Sequence, residues 1–526
     1  MPQVMTTTAP TTPSIDGSGL PLSGWRAVVG PRRWGALVGV VLSLPLAHGT
    51  LAGEWEITPR LSLEETYTDN VRLVEDGERG DFITSITPGL SVRGVSSRLV
   101  TNVDYNLQQL LYGHVTDFDS TNHQLQGDAF ATVLPDWLFF DSSARMSQQN
   151  IDNRRLFTNN NRGPGDNRRD VLSYEFSPRV EHTFGSWVSL RALYGYQRVA
   201  QSGGGANTNA FVNGGSSDEN RWEVTLASGS RFARTPVSLS FSDREVEFDS
   251  GRVNELRSYS GQGSYILNRK WRLTASGGYD ENTFPTNRGN NSGPYWLIGG
   301  TWTPSPRTTL TGNWGERFFG TTYNIDGTHT HRRWTITGSY SESIQTVNQF
   351  ERELLLVPLL DPFGQPIFDP VTSSEIVVPI EVPSLTDDVF LNKSVSVGLN
   401  YRLRRGSLGL RYFRFDQEFQ SGNLDELNQG ASFSSSWDLS SRLRWSFNLT
   451  WRSVAQSGTI TGAGQGAGDG DFWTVGPVVS YDLGPHTTAR LRYEYTRNGG
   501  GGGGLGGGGN GRYVENALSA NLVFNL

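Results

Sequence analysis

Few residues of this chain could do chemistry, and they are poorly grouped. There is no cysteine, which excludes thiol catalysis, zinc ribbons, iron–sulfur clusters and disulfide scaffolds. His329 and His331 are spaced i,i+2, so on a strand they face one side and form a possible metal pair. Arg332 and Arg333 beside them oppose a cation and no nearby carboxylate completes a site, so the histidines are expected to be polar lumen residues of a strand. Asp117 with Asp119, and Asp469 with Asp471, could hold Ca²⁺ in loops, but neither pair has the spacing of an EF-hand and both read as loop polarity. The run 499–511, GGGGGGLGGGGNG, is followed by no Lys-Ser/Thr pair and reads as a flexible loop, not a phosphate cradle. His114, His123, His182 and His486 fall in loops, turns or strand ends, and no G-x-S-x-G nucleophile elbow occurs. The expectation is a protein with no enzymatic activity, no cofactor and no metal.

The elements that would carry these residues are easier to read. Of 526 residues 36% are hydrophobic, 18% charged and 11% aromatic, with 63 Gly and 15 Trp. Mean hydropathy is −0.42, yet a soluble chain this polar rarely carries so many large rings. No segment after residue 52 approaches the 18 or so consecutive apolar residues of a membrane helix. Polar, glycine-rich, aromatic-rich and cysteine-free composition points to a transmembrane β-barrel. A formal net charge of −7, with no basic block, argues against nucleic acid as a partner.

Residues 1–52 read as a signal peptide. Arg26, Arg32 and Arg33 precede an apolar stretch from Trp34 to Ala47, and Thr50 and Ala52 supply a small-residue cleavage site. Residues 53–526 then form the barrel domain. Period-two alternation begins at Trp55, Ile57, Leu61 and Leu63 and recurs at Val188, Leu190, Ala192, Tyr194 and Tyr196. It is clearest at Trp445, Phe447, Leu449 and Trp451, interleaved with Arg444, Ser446, Asn448 and Thr450. In lipid the apolar face needs no second sheet, and the polar face lines a wet lumen. The barrel must close, because an open edge in hydrocarbon leaves backbone groups unpaired. On this phase Arg60, Glu64, Asp104, Asp128, Arg179, Glu181, Arg191, Glu223, Arg444 and Arg490 project into the lumen.

Short connections such as 185–186 and 404–406 alternate with long polar ones such as 150–170 and 497–511, the asymmetry of periplasmic turns and extracellular loops. Trp55, Trp137, Trp187 and Trp271 open strands after the short turns, as an inner aromatic girdle would. The count is about 22 antiparallel up-and-down strands, in the range of 18 to 22, with starts that include 307, 328 and 344. Leu518, Ala520, Leu522, Phe524 and Leu526 alternate to the C-terminus, a closing strand of the kind the outer-membrane assembly machinery reads. The location expected is the outer membrane of a Gram-negative bacterium, in contact with lipid and lipopolysaccharide.

Two stretches carry family character: Glu65-Thr-Tyr-Thr-Asp69-Asn70 after the first strand, and Gly315-Glu-Arg317-Phe318-Phe319-Gly320 continuing through Arg332-Arg333-Trp334 to Tyr340. Together they resemble the outer-membrane barrel family associated with the PEP-CTERM/exosortase system. The resemblance implies an outer-membrane barrel in bacteria that also make exopolysaccharide, with exopolysaccharide or its export proteins as partners. It implies no activity.

Residues 352–389 differ from every other connection, with six prolines and two apolar runs. Exposed loops are normally polar, so this one is expected to fold inward or over the mouth as a plug or lid at 357–389, with Phe363, Ile367, Phe368, Val377 and Ile380 forming a small core. Capping the rim or meeting a partner is the alternative. Three functions follow in order: a pore or export channel for exopolysaccharide or another hydrophilic solute, a non-conducting structural or assembly protein, and, distantly, an outer-membrane enzyme.

Overall fold

The computed structural model describes residues 53–150, 161–165, 168–202, 216–346, 387–422, 425–457, 469–500 and 512–526. The expected signal peptide and the five apolar residues of the expected gate lie outside them. The strands are β1 (Gly53–Thr68), β2 (Asp81–Ser96), β3 (Leu99–Tyr112), β4 (Ser120–Leu134), β5 (Leu138–Asn150) and β6 (Arg168–Phe184). Next come β7 (Val188–Ser202), β8 (Ser217–Ser228), β9 (Val237–Phe248), β10 (Val253–Ile266), β11 (Trp271–Thr283) and β12 (Gly293–Ser305). There follow β13 (Thr308–Arg317), β14 (Gly320–Thr330), β15 (Trp334–Gln345), β16 (Phe390–Leu403) and β17 (Gly406–Phe419). The last are β18 (Asp425–Asp438), β19 (Leu443–Ser457), β20 (Asp469–Gly484), β21 (Thr487–Asn498) and β22 (Tyr513–Asn525).

Each strand pairs antiparallel with its sequence neighbours, and β1 pairs with β22 from Arg60↔Asn525 to Thr68↔Ala517, so 22 strands close into one wall. Closure leaves no edge to satisfy in hydrocarbon. The ladder skips at Pro88, Pro178 and Pro477, where there is no N–H to give.

The alternation seen in the sequence becomes two surfaces. On β19 the outward set Trp445, Phe447, Leu449 and Trp451 sits opposite Trp437, Phe433 and Ala431 of β18 and Trp473 and Val479 of β20. Ile57, Ile298, Leu239, Leu410 and Leu491 are among the large apolar side chains left exposed on this face, the reverse of a soluble core. Tryptophans bound the belt at both ends. At the inner end Trp271 stacks on Trp302 with ring centroids 5.6 Å apart, and Trp437 opposes Trp445. At the outer end Trp296 packs edge-on to Trp314 at 5.1 Å and Trp451 lies 6.2 Å from Trp473. Trp296 to Trp302, and Trp445 to Trp451, span six residues, about 20 Å of strand at ~3.3 Å per residue. An apolar band bounded at both ends by aromatic girdles is the lipid-facing pattern of an outer-membrane barrel.

Two expected strand starts, 328 and 344, are wrong. The outer connection between β13 and β14 is only Phe318-Phe319, with Arg317 paired to Gly320 and Gly320 at φ 118°, a value glycine tolerates. β14 therefore begins at 320 and ends at Thr330, and β15 begins at Trp334. A two-residue turn of aromatic rings carries none of the polar signal by which long outer connections are recognised, so the starts after 307 are placed too late. The error carries the histidines with it. His329 ends β14 on the outward face, bonded to Thr308 Oγ1 at 2.7 Å, and His331 lies in the inner turn. Both pack on Trp334, at 4.9 and 5.5 Å, so they belong to the inner girdle and not to the lumen.

Candidate functional site

The inner face is fixed by register. Glu64 of β1 opposes Asn521 of β22, which opposes Arg490 of β21, which opposes Ser480 of β20. Following the ladder the other way, Asp104 of β3 opposes Ser91 of β2, and Asp128 of β4 opposes Asn102 and Ser143. Arg179 and Glu181 of β6, Arg191 of β7, Glu223 of β8 and Arg444 of β19 occupy the same face. All ten charges named from the sequence thus stand on the lumen side, and the structure brings most of them together in pairs.

From β1 to β9 the lumen wall is a chain of ions. Arg60 meets Asp104 at 2.6 Å. Arg179 lies 3.7 Å from Asp141 and 3.3 Å from Glu181, which also takes Arg191 at 3.1 Å. Arg221 bridges Glu175 at 2.7 Å and Glu223 at 3.3 Å, and Arg244 reaches Glu219 at 3.2 Å. Arg444 pairs with Asp438 at 2.8 Å on the other side of the closure. A wet lumen carries such charges at little cost, whereas at the lipid midplane an Arg costs about 2–4 kcal/mol.

From β10 to β16 the same face is mostly hydroxyl, amide and glycine. Ser341 Oγ lies 2.7 Å from Ser394 Oγ and Ser339 Oγ 2.7 Å from Ser396 Oγ, cross-strand hydroxyl pairs in register. Thr301 and Thr311 repeat the pattern at 3.2 Å, and Ser264 and Thr274 at 3.3 Å. The one strong ion pair described here is Arg317 with Asp280, where two nitrogens of the guanidinium reach the carboxylate at 2.8 to 3.1 Å. Arg317 also lies over the Tyr295 ring at 4.7 Å.

The family-like residues separate to the two ends of the barrel. At the outer end Asn70, fully buried, bonds Val74 O at 2.7 Å and Val514 O at 2.9 Å and accepts from Val74 N. Asp69 accepts from the backbone and side chain of Asn516 at 2.8 and 2.7 Å. The T-D-N turn is therefore a clamp between the first connection and the last strand. Phe318 and Phe319 pack edge-on at 5.2 Å at the tip of their hairpin. Arg332, Arg333 and Trp334 lie at the inner end, where Arg333 O accepts from Arg402 N.

Of the expected gate, only 387–389 is described. Asp387 pairs with Arg252 at 3.2 Å and its carbonyl accepts from Asn254 Nδ2, tying the β9–β10 hairpin to the start of β16. Burial pushes the Asp388 carboxyl above the usual range, against the lowering effect of the Ser421 hydroxyl and amide that it accepts from.

The structure places a different segment in the lumen, one the sequence reading missed. Residues 161–165, from the β5–β6 connection, reach the opposite side of the closure. Arg162 Nη2 bonds Glu494 Oε1 of β21 at 2.8 Å, and its side chain is 5% exposed. Asn161 donates to Gln108 at 3.0 Å and Gln148 at 3.2 Å, and Gly163 N donates to the Tyr112 hydroxyl at 3.0 Å. Asn161 at φ 57° and Gly163 at φ 84° flank the arginine, left-handed positions that Asn and Gly accept most readily. Burial opposes the charge on Arg162, but Glu494, Glu515 and Glu64 outweigh it and hold the guanidinium above its ordinary pKa. The Asn-Arg-Gly triplet was the available signal; in an Asn-rich connection it reads as ordinary loop polarity.

No family model matches this chain, and no curated protein does. Solved structures do. The FrpB iron transporter from Neisseria meningitidis, F5-1 variant, superposes with a TM-score of 0.51 at 9% identity, over 89% of this chain and 82% of that one. Its apoprotein form gives 0.50 at 10%, over 89% and 81%. A mutant of the ferric enterobactin receptor (PfeA) from Pseudomonas aeruginosa gives 0.47 at 11%, over 90% and 80%. At such identities the shared property is the fold. A closed 22-strand wall with a continuous lipid-facing belt is a β-barrel of the outer membrane.

Proposed function

We propose that this protein is an outer-membrane pore for hydrophilic solutes rich in hydroxyl groups, and that the solute is exopolysaccharide of the PEP-CTERM/exosortase context. The observation that carries the reading is the lumen wall from β10 to β16, where Ser341–Ser394, Ser339–Ser396 and Thr301–Thr311 present hydroxyls in register. Such a wall offers donors and acceptors that a sugar exchanges for water at nearly equal energy, so a polyhydroxylated chain moves along it without being trapped. The family-like stretches support the exopolysaccharide context, and the iron transporters of similar fold support transport as such. No residue is given a catalytic role.

A non-conducting structural or assembly protein is the second reading, favoured by one observation: Arg162 and its neighbours occupy lumen space. Single-channel recording of purified protein in planar bilayers separates the two. Ohmic current that oligosaccharides reduce in a concentration-dependent way supports the pore. Absence of current under all salt and voltage conditions favours the structural reading.

A further inference from the structure

Glu64 of β1, Glu494 of β21 and Glu515 of β22 stand on the lumen face around the barrel closure, and all three attract the guanidinium of Arg162. Glu494 holds it directly at 2.8 Å, while Glu515 accepts from Thr68 Oγ1 at 2.8 Å and Glu64 from Asn521 Nδ2 at 3.3 Å. The cation does not belong to this wall. It arrives from a connection six strands away, on a turn whose two left-handed residues aim it and which bonds Gln108, Gln148 and Tyr112 and accepts from the Arg168 guanidinium at Gly163 O, 3.1 Å. The wall's own cations stand beside these carboxylates: Arg492, one lumen-facing position below Glu494 and level with Ser519, and Arg490, level with Asn521 and Glu64. Arg162 is thus a buried guanidinium carried in on a loop, seated on Glu494 with Glu64 and Glu515 to either side along the closure.

We propose that this carboxylate pocket is a binding site for a guanidinium or ammonium group of a solute, and that Arg162 is the chain's own displaceable occupant. An incoming cation competes with Arg162 for Glu494 and takes the arginine side chain off that side of the lumen. The proposal deepens the pore reading and rests on it for its consequence, though not for the binding itself. A neutral solute leaves Arg162 seated.

The test uses the purified, folded barrel in detergent and L-arginine amide as the probe, followed by calorimetry. Arg162→Ala should bind arginine amide at least tenfold more tightly than wild type, and Arg162→Ala combined with Glu494→Gln should lose that gain. Gly163→Ala leaves every charge in place but strains the turn, and should raise affinity in the same direction by a smaller factor. It serves if Arg162→Ala does not fold. A folded Arg162→Ala barrel that binds no better than wild type overturns the proposal, as does a double variant that binds equally well. Binding without any single-channel current would sink the pore and leave the site standing; current without binding would do the reverse.

Discussion

Two stretches of one lumen wall, joined at the β9–β10 pairing, have unlike chemistry. Between β1 and β9 the inner side chains neutralise one another, Arg221 between Glu175 and Glu223 and Arg179 between Asp141 and Glu181. Between β10 and β16 they are hydroxyls matched across strands. The charged wall spends its polar groups on itself, so its contribution is a fixed and largely balanced field. Hydroxyls keep a spare donor or acceptor each, so the second wall can bond whatever passes. Outside, both walls are the same apolar belt, because lipid makes one demand all the way round.

Breaking the charged wall should have the largest effect. Arg221→Ala leaves Glu175 without its partner in a mostly buried pair, which costs about 3–5 kcal/mol, while the more exposed Glu223 stays solvated and adds little. The urea midpoint of the refolded barrel should fall accordingly; an unchanged midpoint would show that the wall is held by something other than its ion pairs. The equality of the outer faces is tested next. Leu449→Arg on β19 and Ile298→Arg on β12 should each cost about 2–4 kcal/mol, while Asn448→Arg, facing the lumen, is tolerated. If Ile298→Arg inserts normally, the belt is not continuous behind the hydroxyl wall. A smaller loss, about 1–3 kcal/mol, is expected for Asp69→Ala, which strands the amide and side chain of Asn516. It should appear as a lower temperature for the shift between compact and unfolded bands on electrophoresis. Smallest of all, Ser341→Ala with Ser394→Ala should change stability by less than about 1 kcal/mol, since both partners go together. The pair should nevertheless weaken the block of current by oligosaccharides. A large stability loss with unchanged block would turn the hydroxyl wall into scaffolding.

Much of the barrel was legible because lipid and water impose a period of two on each strand, and β19 declares its two faces in nine residues. The C-terminal strand was legible for the same reason. What failed was punctuation. Phe318-Phe319 turns the chain in two residues with rings where a polar loop was expected, and His331-Arg332-Arg333 turns it back with charges that resemble a lumen face. The difference between the walls was present as strings of Ser and Thr on β15 and Arg and Glu on β6, but alternation alone weighs a serine and an arginine alike. Contacts across the closure could not be read at all. Asn70 meets Val514, and Arg162 meets Glu494, only because 22 strands come full circle.

That last fact bears on how the protein is made. Asp69 and Asn70 have their partners on β22, and Arg162 finds its carboxylates on β1, β21 and β22. Neither the clamp nor the seated arginine exists until the final strand has zipped onto the first. A partly inserted chain therefore holds residues 161–165 only by their bonds to β3 and β5, with the Arg162 guanidinium not yet on its carboxylates. Completion of the wall and seating of the arginine become one event, so the barrel signals its own maturity: an arginine shielded from modification by solvent reagents marks a molecule whose last hairpin has arrived.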